Sequence, residues 1–202
     1  MKASRFSLPH RVRLPDVRNL PPERPPDIRK ETEVRNPVII TLLVLAVVCL
    51  LSLAYLLAIP PFARTKWFLH FLPEDIREAG KQHPDPSPGR QLTGYLLTLA
   101  VLSGYLGALV FLGLDGLRRG YGFGLLFGRF LLFMAGYKLF DILIQDQYLV
   151  ITKKYFVRFF PETGGCRSWW DRSFNTKKQL FRLKLLPIVC ALLSGLTLLM
   201  GR

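Results

Sequence analysis

The chain has 202 residues, half of them hydrophobic, with a mean hydropathy of +0.25 and a formal net charge of +14. Such apolar content is unusual for a water-soluble domain, and it is gathered into four runs near the ~20-residue length that spans a bilayer. The basic residues flank those runs, which points the charge at anionic lipid headgroups and argues against nucleic acid. Three cysteines set no disulfide framework: Cys49 and Cys190 lie inside apolar runs, and Cys166 stands alone in a loop.

Residues 1–36 are polar and proline-rich, with nine Lys/Arg against five Asp/Glu and no apolar period. Closely spaced prolines break helices, so the stretch reads as a disordered basic tail with polyproline II character. A PxxP at 22–25 is a weak signal for a proline-recognising partner. The first apolar run, 37–59, holds no charge and is bracketed by Pro37 and Pro60-Pro61, as a retained signal-anchor helix would be.

The loop at 60–91 opens with Arg64, Lys66 and Trp67, a basic and aromatic interfacial anchor. A short helix follows in LPEDIREAGK, with Glu74 and Asp75 in its first turn. His70, Glu74 and Glu78 fall at four-residue spacing, but Pro73 starts the helix after His70 and breaks their shared face. No metal site is read there. The second run, 92–114, carries Gly104 and Ala108, a small-xxx-small pair suited to close helix contact. The short DGLRRG turn makes the second and third helices an antiparallel hairpin. Gly120, Gly124 and Gly128 share one face of the third helix (120–145) and are expected to form its seam with Gly104 or Ala108. A glycine-hinged re-entrant half-helix is the rival reading.

The third helix also carries Arg129, Lys138, Asp141 and Asp146, a candidate intramembrane polar cluster. Ionisable groups at membrane depth cost on the order of 3 kcal/mol, so Lys138 and Asp141 are expected to face the bundle, whereas Asp146 is expected at the interface, where it costs little. Lys138 and Asp141 are three apart and can pair, and Arg129 can snorkel part of the way back to its basic turn. Asp141 and Asp146 would diverge on a continuous α-helix. Beyond it, YLVITKKYFVRFF (148–160) is rich in β-branched and aromatic residues, and two short strands turning at Lys153-Lys154 fit that composition better than helix. Trp169 and Trp170 read as interfacial anchors before the last span, 183–200, where Ala191 and Gly195 form another small pair.

Asp141-x4-Asp146, the strand-like stretch, Pro161-x-Thr163-x-Gly165, Trp170-Asp171 and Lys178 form an ordered set. Over about 137–195 it resembles a group of small four-helix bacterial membrane proteins with a D-x4-D and a Pro-Gly-Thr-Glu turn. Here the turn reads Pro-Glu-Thr-Gly. The resemblance implies the architecture and adds no chemistry.

The expected protein is an all-α membrane protein. A four-helix transmembrane domain (37–202) follows the disordered tail, with a short β-hairpin between the third and fourth helices. Lys/Arg counts on the two sides are twelve and thirteen and do not orient it. The first helix usually dominates, and its basic tail resists translocation, which puts both termini of a multi-pass cell-membrane protein in the cytoplasm. No catalytic signature is present: there is no H-E-x-x-H, no G-x-S-x-G and no phosphate loop. Two roles stay open. One is a non-enzymatic accessory or scaffold subunit without cofactor or metal, meeting lipid, a protein partner or a second copy. The other is a small oligomeric transporter or channel using the charged cluster.

Overall fold

A computed structural model of the chain describes residues 28–64, 69–171 and 176–201. Among these, regular structure is helical throughout. Helix α1 (Ile28–Ala58) is followed by the short α2 (Glu74–Gly80), then α3 (Pro88–Arg118) and α4 (Phe123–Phe140). A π-helical stretch, Asp141–Thr152, continues α4, and α5 (Thr176–Met200) ends the fold. Single 3-10 turns lie at Leu69–Phe71, Tyr155–Arg158, Pro161–Thr163 and Arg167–Trp170.

Four helical stretches are long and apolar enough to cross a membrane: Pro37–Ala58, Pro88–Arg118, Phe123–Thr152 and Phe181–Met200. At about 1.5 Å per residue the 31 residues of α3 outrun a ~30 Å hydrocarbon core. α1 begins at Ile28, inside the stretch expected to be disordered, because 28–36 is rich in charged straight-chain residues that favour helix. Pro37 therefore lies inside the helix, and its carbonyl accepts the Thr41 hydroxyl at 2.6 Å. Residues 1–27, with the PxxP, and residues 65–68, with Lys66 and Trp67, lie outside the described residues.

Two separate apolar cores organise the chain. In the bundle, α4 packs mainly on α5 and α1, around Val48, Ala108, Leu112, Leu126, Phe130, Phe133 and Cys190. The outward faces stay apolar, with Leu43, Leu50, Leu99, Leu106, Val110 and Leu192 all exposed. At one end of the bundle, the loop before α3 packs with the last turn of the π-helical stretch and the loop after it to form a cap. Its core is Leu69, Ile76, Val150, Ile151, Phe156, Phe160 and Trp169.

The expected β-hairpin is not formed. Helical hydrogen bonding runs through to Thr152, and Lys154 then takes a left-handed turn (φ 46°) into the 3-10 turn Tyr155–Arg158. β-Propensity expresses fit to a half-buried pleated surface. This stretch instead finds a cap in which Val150, Ile151, Phe156 and Phe160 can all be buried. Trp169 is part of that core, 1% exposed, with its indole N–H donated to the Thr163 carbonyl at 2.8 Å. Of Trp169 and Trp170, both expected as anchors, Trp170 alone faces outward.

Candidate functional site

α3 ends in a Schellman motif: the Tyr121 N–H bonds the Gly116 carbonyl (2.9 Å) and the Gly120 N–H bonds the Leu117 carbonyl (3.0 Å). Gly120 is the left-handed residue this requires (φ +69°). Its role is thus to reverse the chain, and a seam position is excluded. The reversal brings Arg129 of α4 back against Asp115 in the last turn of α3.

Arg129 does not snorkel out. It is 4% exposed, with Nη2 2.5 Å from Asp115 Oδ2. Its Nε donates to Thr41 Oγ1 of α1 at 2.9 Å, and Nη1 donates to the Leu112 carbonyl at 3.2 Å. The guanidinium lies 5.7 Å from the Tyr121 ring centre, and Asp115 Oδ1 accepts Arg119 Nε at 2.9 Å. One buried cation thereby ties α1, α3 and α4 together.

The other three charges form a second layer. Nine residues separate Arg129 from Lys138, about 14 Å along the axis, so the four do not make one cluster. Lys138 Nζ lies 2.5 Å from Asp141 Oδ2, with side chains 15% and 24% exposed. Asp146 accepts a hydrogen bond from Gln179 Nε2 of α5 at 2.8 Å. The π-helix pairs residues five apart, which turns Asp141 and Asp146 toward one side where an α-helix would separate them. Gln145 donates to Ser52 of α1 at 2.8 Å, and Ser52 is 3.0 Å from the Tyr137 hydroxyl. This layer joins α1, α4 and α5.

The expected glycine seam is absent. A Cβ built on Gly104, Gly124 or Gly128 would meet nothing within 4 Å, because that edge of the helices faces outward. Ala108, by contrast, is buried in the bundle core. Close approach occurs at other glycines. A Cβ on Gly94 would lie 2.6 Å from the Phe62 carbonyl oxygen, one on Gly136 2.6 Å from Leu45, and one on Gly113 3.3 Å from the Thr197 hydroxyl.

The cap has its own cross-links. Asp75 Oδ2 accepts the Ser168 N–H at 3.0 Å, and Oδ1 accepts the Ile76 N–H at 2.9 Å. Burial pulls the Asp75 carboxyl upward, but the bonds from Ser168 and Ile76 outweigh it and hold it below the usual carboxylate range. Cys166 donates to the Asp75 carbonyl at 3.4 Å; burial, with the Asp75 charge added, pushes its thiol up. His83 Nδ1 is 2.9 Å from Glu162 Oε1, again joining the two loops. An open cleft of about 990 Å³ lies between Glu74, Asp75 and Glu78 on one side and Arg167, Ser168 and Trp170 on the other. Among the described residues no three His, Cys, Asp or Glu side chains converge as metal ligands would.

Asp115, Thr41, Ser52, Gln145 and Gln179 escaped the sequence reading. One signal was there: Thr41 and Ser52 are eleven residues apart, about three turns, and so share a face of α1. Comparison of the chain with protein-family models, with curated proteins and with solved structures gives no match.

Proposed function

We propose that the chain is a multi-pass membrane protein acting as a non-enzymatic accessory or scaffold subunit, with its cap as the surface a partner reads. The observation that carries this reading is the cap itself. Simple connectors need no core, yet two loops far apart in sequence share one and are cross-linked by Asp75 to Ser168 and His83 to Glu162. Ordering them costs conformational entropy, and a shaped surface outside the bundle is a reason to meet that cost. Within the bundle Arg129 engages Asp115 and Lys138 engages Asp141, as structural pairs do, and Asp146 is held by Gln179. The first helix and its basic tail support placing both termini in the cytoplasm and the cap on the far side.

One observation favours the second reading, a small oligomeric transporter or channel. The π-helix gathers Asp141 and Asp146 with Gln145, Ser52 and Gln179 between three helices, and such wide turns are frequent at functional sites. Native gel mass in mild detergent separates the two. The scaffold reading expects a stoichiometric hetero-complex that Glu74→Lys with Glu78→Lys dissolves while the chain stays in the membrane. Bare chain or homo-oligomer alone, with solute flux in liposomes that Asp141→Asn abolishes, would establish the transporter instead.

A further inference from the structure

The cap-side end of α4 carries two lysines that belong to neither core. The Lys153 N–H closes onto the Tyr148 carbonyl at 2.9 Å, and Lys154 then adopts the left-handed conformation. Lys154 is the one non-glycine residue with positive φ among the described residues. That conformation is costly for a residue with a Cβ, so what it positions is informative. It sets Lys154 Nζ 3.2 Å from the centre of the Trp170 ring, while Lys153 Nζ lies 5.4 Å from that of Tyr148. Trp170 is 73% exposed and Tyr148 49% exposed, so both rings support their lysines from an outer surface.

The height of this edge is fixed by a third contact. The Tyr155 hydroxyl, next to Lys154, donates to the Leu57 carbonyl at 2.7 Å, in the last turn of α1. Lys153 and Lys154 therefore stand level with the ends of two helices that are long and apolar enough to cross a membrane. Aromatic rings and ammonium groups at that level are the chemistry of the headgroup region. A cation resting on a ring face keeps N–H donors free on its other side. In the adjoining cleft the carboxylates of Glu74, Asp75, Glu78 and Asp171 outnumber the one cation, Arg167, and so disfavour an anion there and leave it the lysine side.

We propose that Lys153 and Lys154, seated on Tyr148 and Trp170, bind the phosphate of an anionic phospholipid at the cap-side interface. The inference rests on the multi-pass membrane reading. It is tested with the full chain in phosphatidylcholine nanodiscs doped with brominated phosphatidylglycerol or, at equal fraction, brominated phosphatidylcholine. The Trp170 signal is the fluorescence difference between the parent and Trp170→Phe. The anionic lipid should quench Trp170 more strongly. Lys153→Gln and Lys154→Gln should each lower that preference about fivefold, the value of one cation near an anionic surface, and Lys153→Arg with Lys154→Arg should keep it. Equal quenching in a chain that resists alkaline carbonate extraction would overturn the headgroup edge and leave the membrane reading standing. A chain released by carbonate would overturn both. Loss of the preference in inorganic phosphate would show a free-anion site and so overturn the lipid assignment.

Discussion

Arg129 shows how a bundle keeps a guanidinium it cannot expel. On the multi-pass reading, charge within the membrane costs up to about 2.5–3.5 kcal/mol on insertion scales, the most at the midplane. Asp115 answers the charge, while Thr41 and the Leu112 carbonyl take further N–H donors. Removing one member of such a pair strands the other. Arg129→Met and Asp115→Leu should each destabilise by about 3–5 kcal/mol. The double variant should recover much of that in a double-mutant cycle of unfolding in detergent, and additive losses would show the two act independently. Lys138→Met should cost less, because that pair is local to one helix and more exposed. In the cap, Asp75 has a depressed folded-state pKa, so its contribution is present above the unfolded value near ~3.9 and lost as pH falls through the lower folded one. Protection of the Ser168 amide from exchange should hold down to about pH 4 and fall below it. In Asp75→Asn, protection should be lower at neutral pH and that acid step should vanish.

At the scale of elements, what was legible in the sequence was whatever depends on local composition. The four apolar runs and the α2 signal of Pro73, Glu74 and Asp75 each carry their evidence within a few turns. What was not legible depends on which way a helix is turned. Gly104, Gly124 and Gly128 have ideal spacing for a seam, yet spacing cannot say that their edge faces outward. Asp115 reads as turn chemistry until α3 is seen to extend to Arg118. Its partner lies fourteen residues on, a contact made by the Schellman reversal and not by any helical period. The stretch 148–160 misled because β-branched composition reports burial as much as strand. The glycine assignment has a direct check in thermal unfolding. Gly94→Ala should destabilise by about 1–3 kcal/mol, since the new Cβ would press on the Phe62 backbone. Gly124→Ala, in open space within a helix, should be neutral or stabilise by up to about 1 kcal/mol.

For the whole molecule, the division of labour follows from where polar groups find partners. Inside the bundle they pair across helices in two layers, one through Arg129 and one through Gln145 and Asp146. Outside it, two loops from different parts of the chain complete each other's core, which requires both to lie on the same side of the four helices. The central claim is this shared cap, and reporter fusions at residues 30, 75, 117, 165 and 202 test it most directly. The cap requires 75 and 165 on one side, with 30, 117 and 202 together on the other. Fusions at 75 and 165 reporting opposite sides would contradict it.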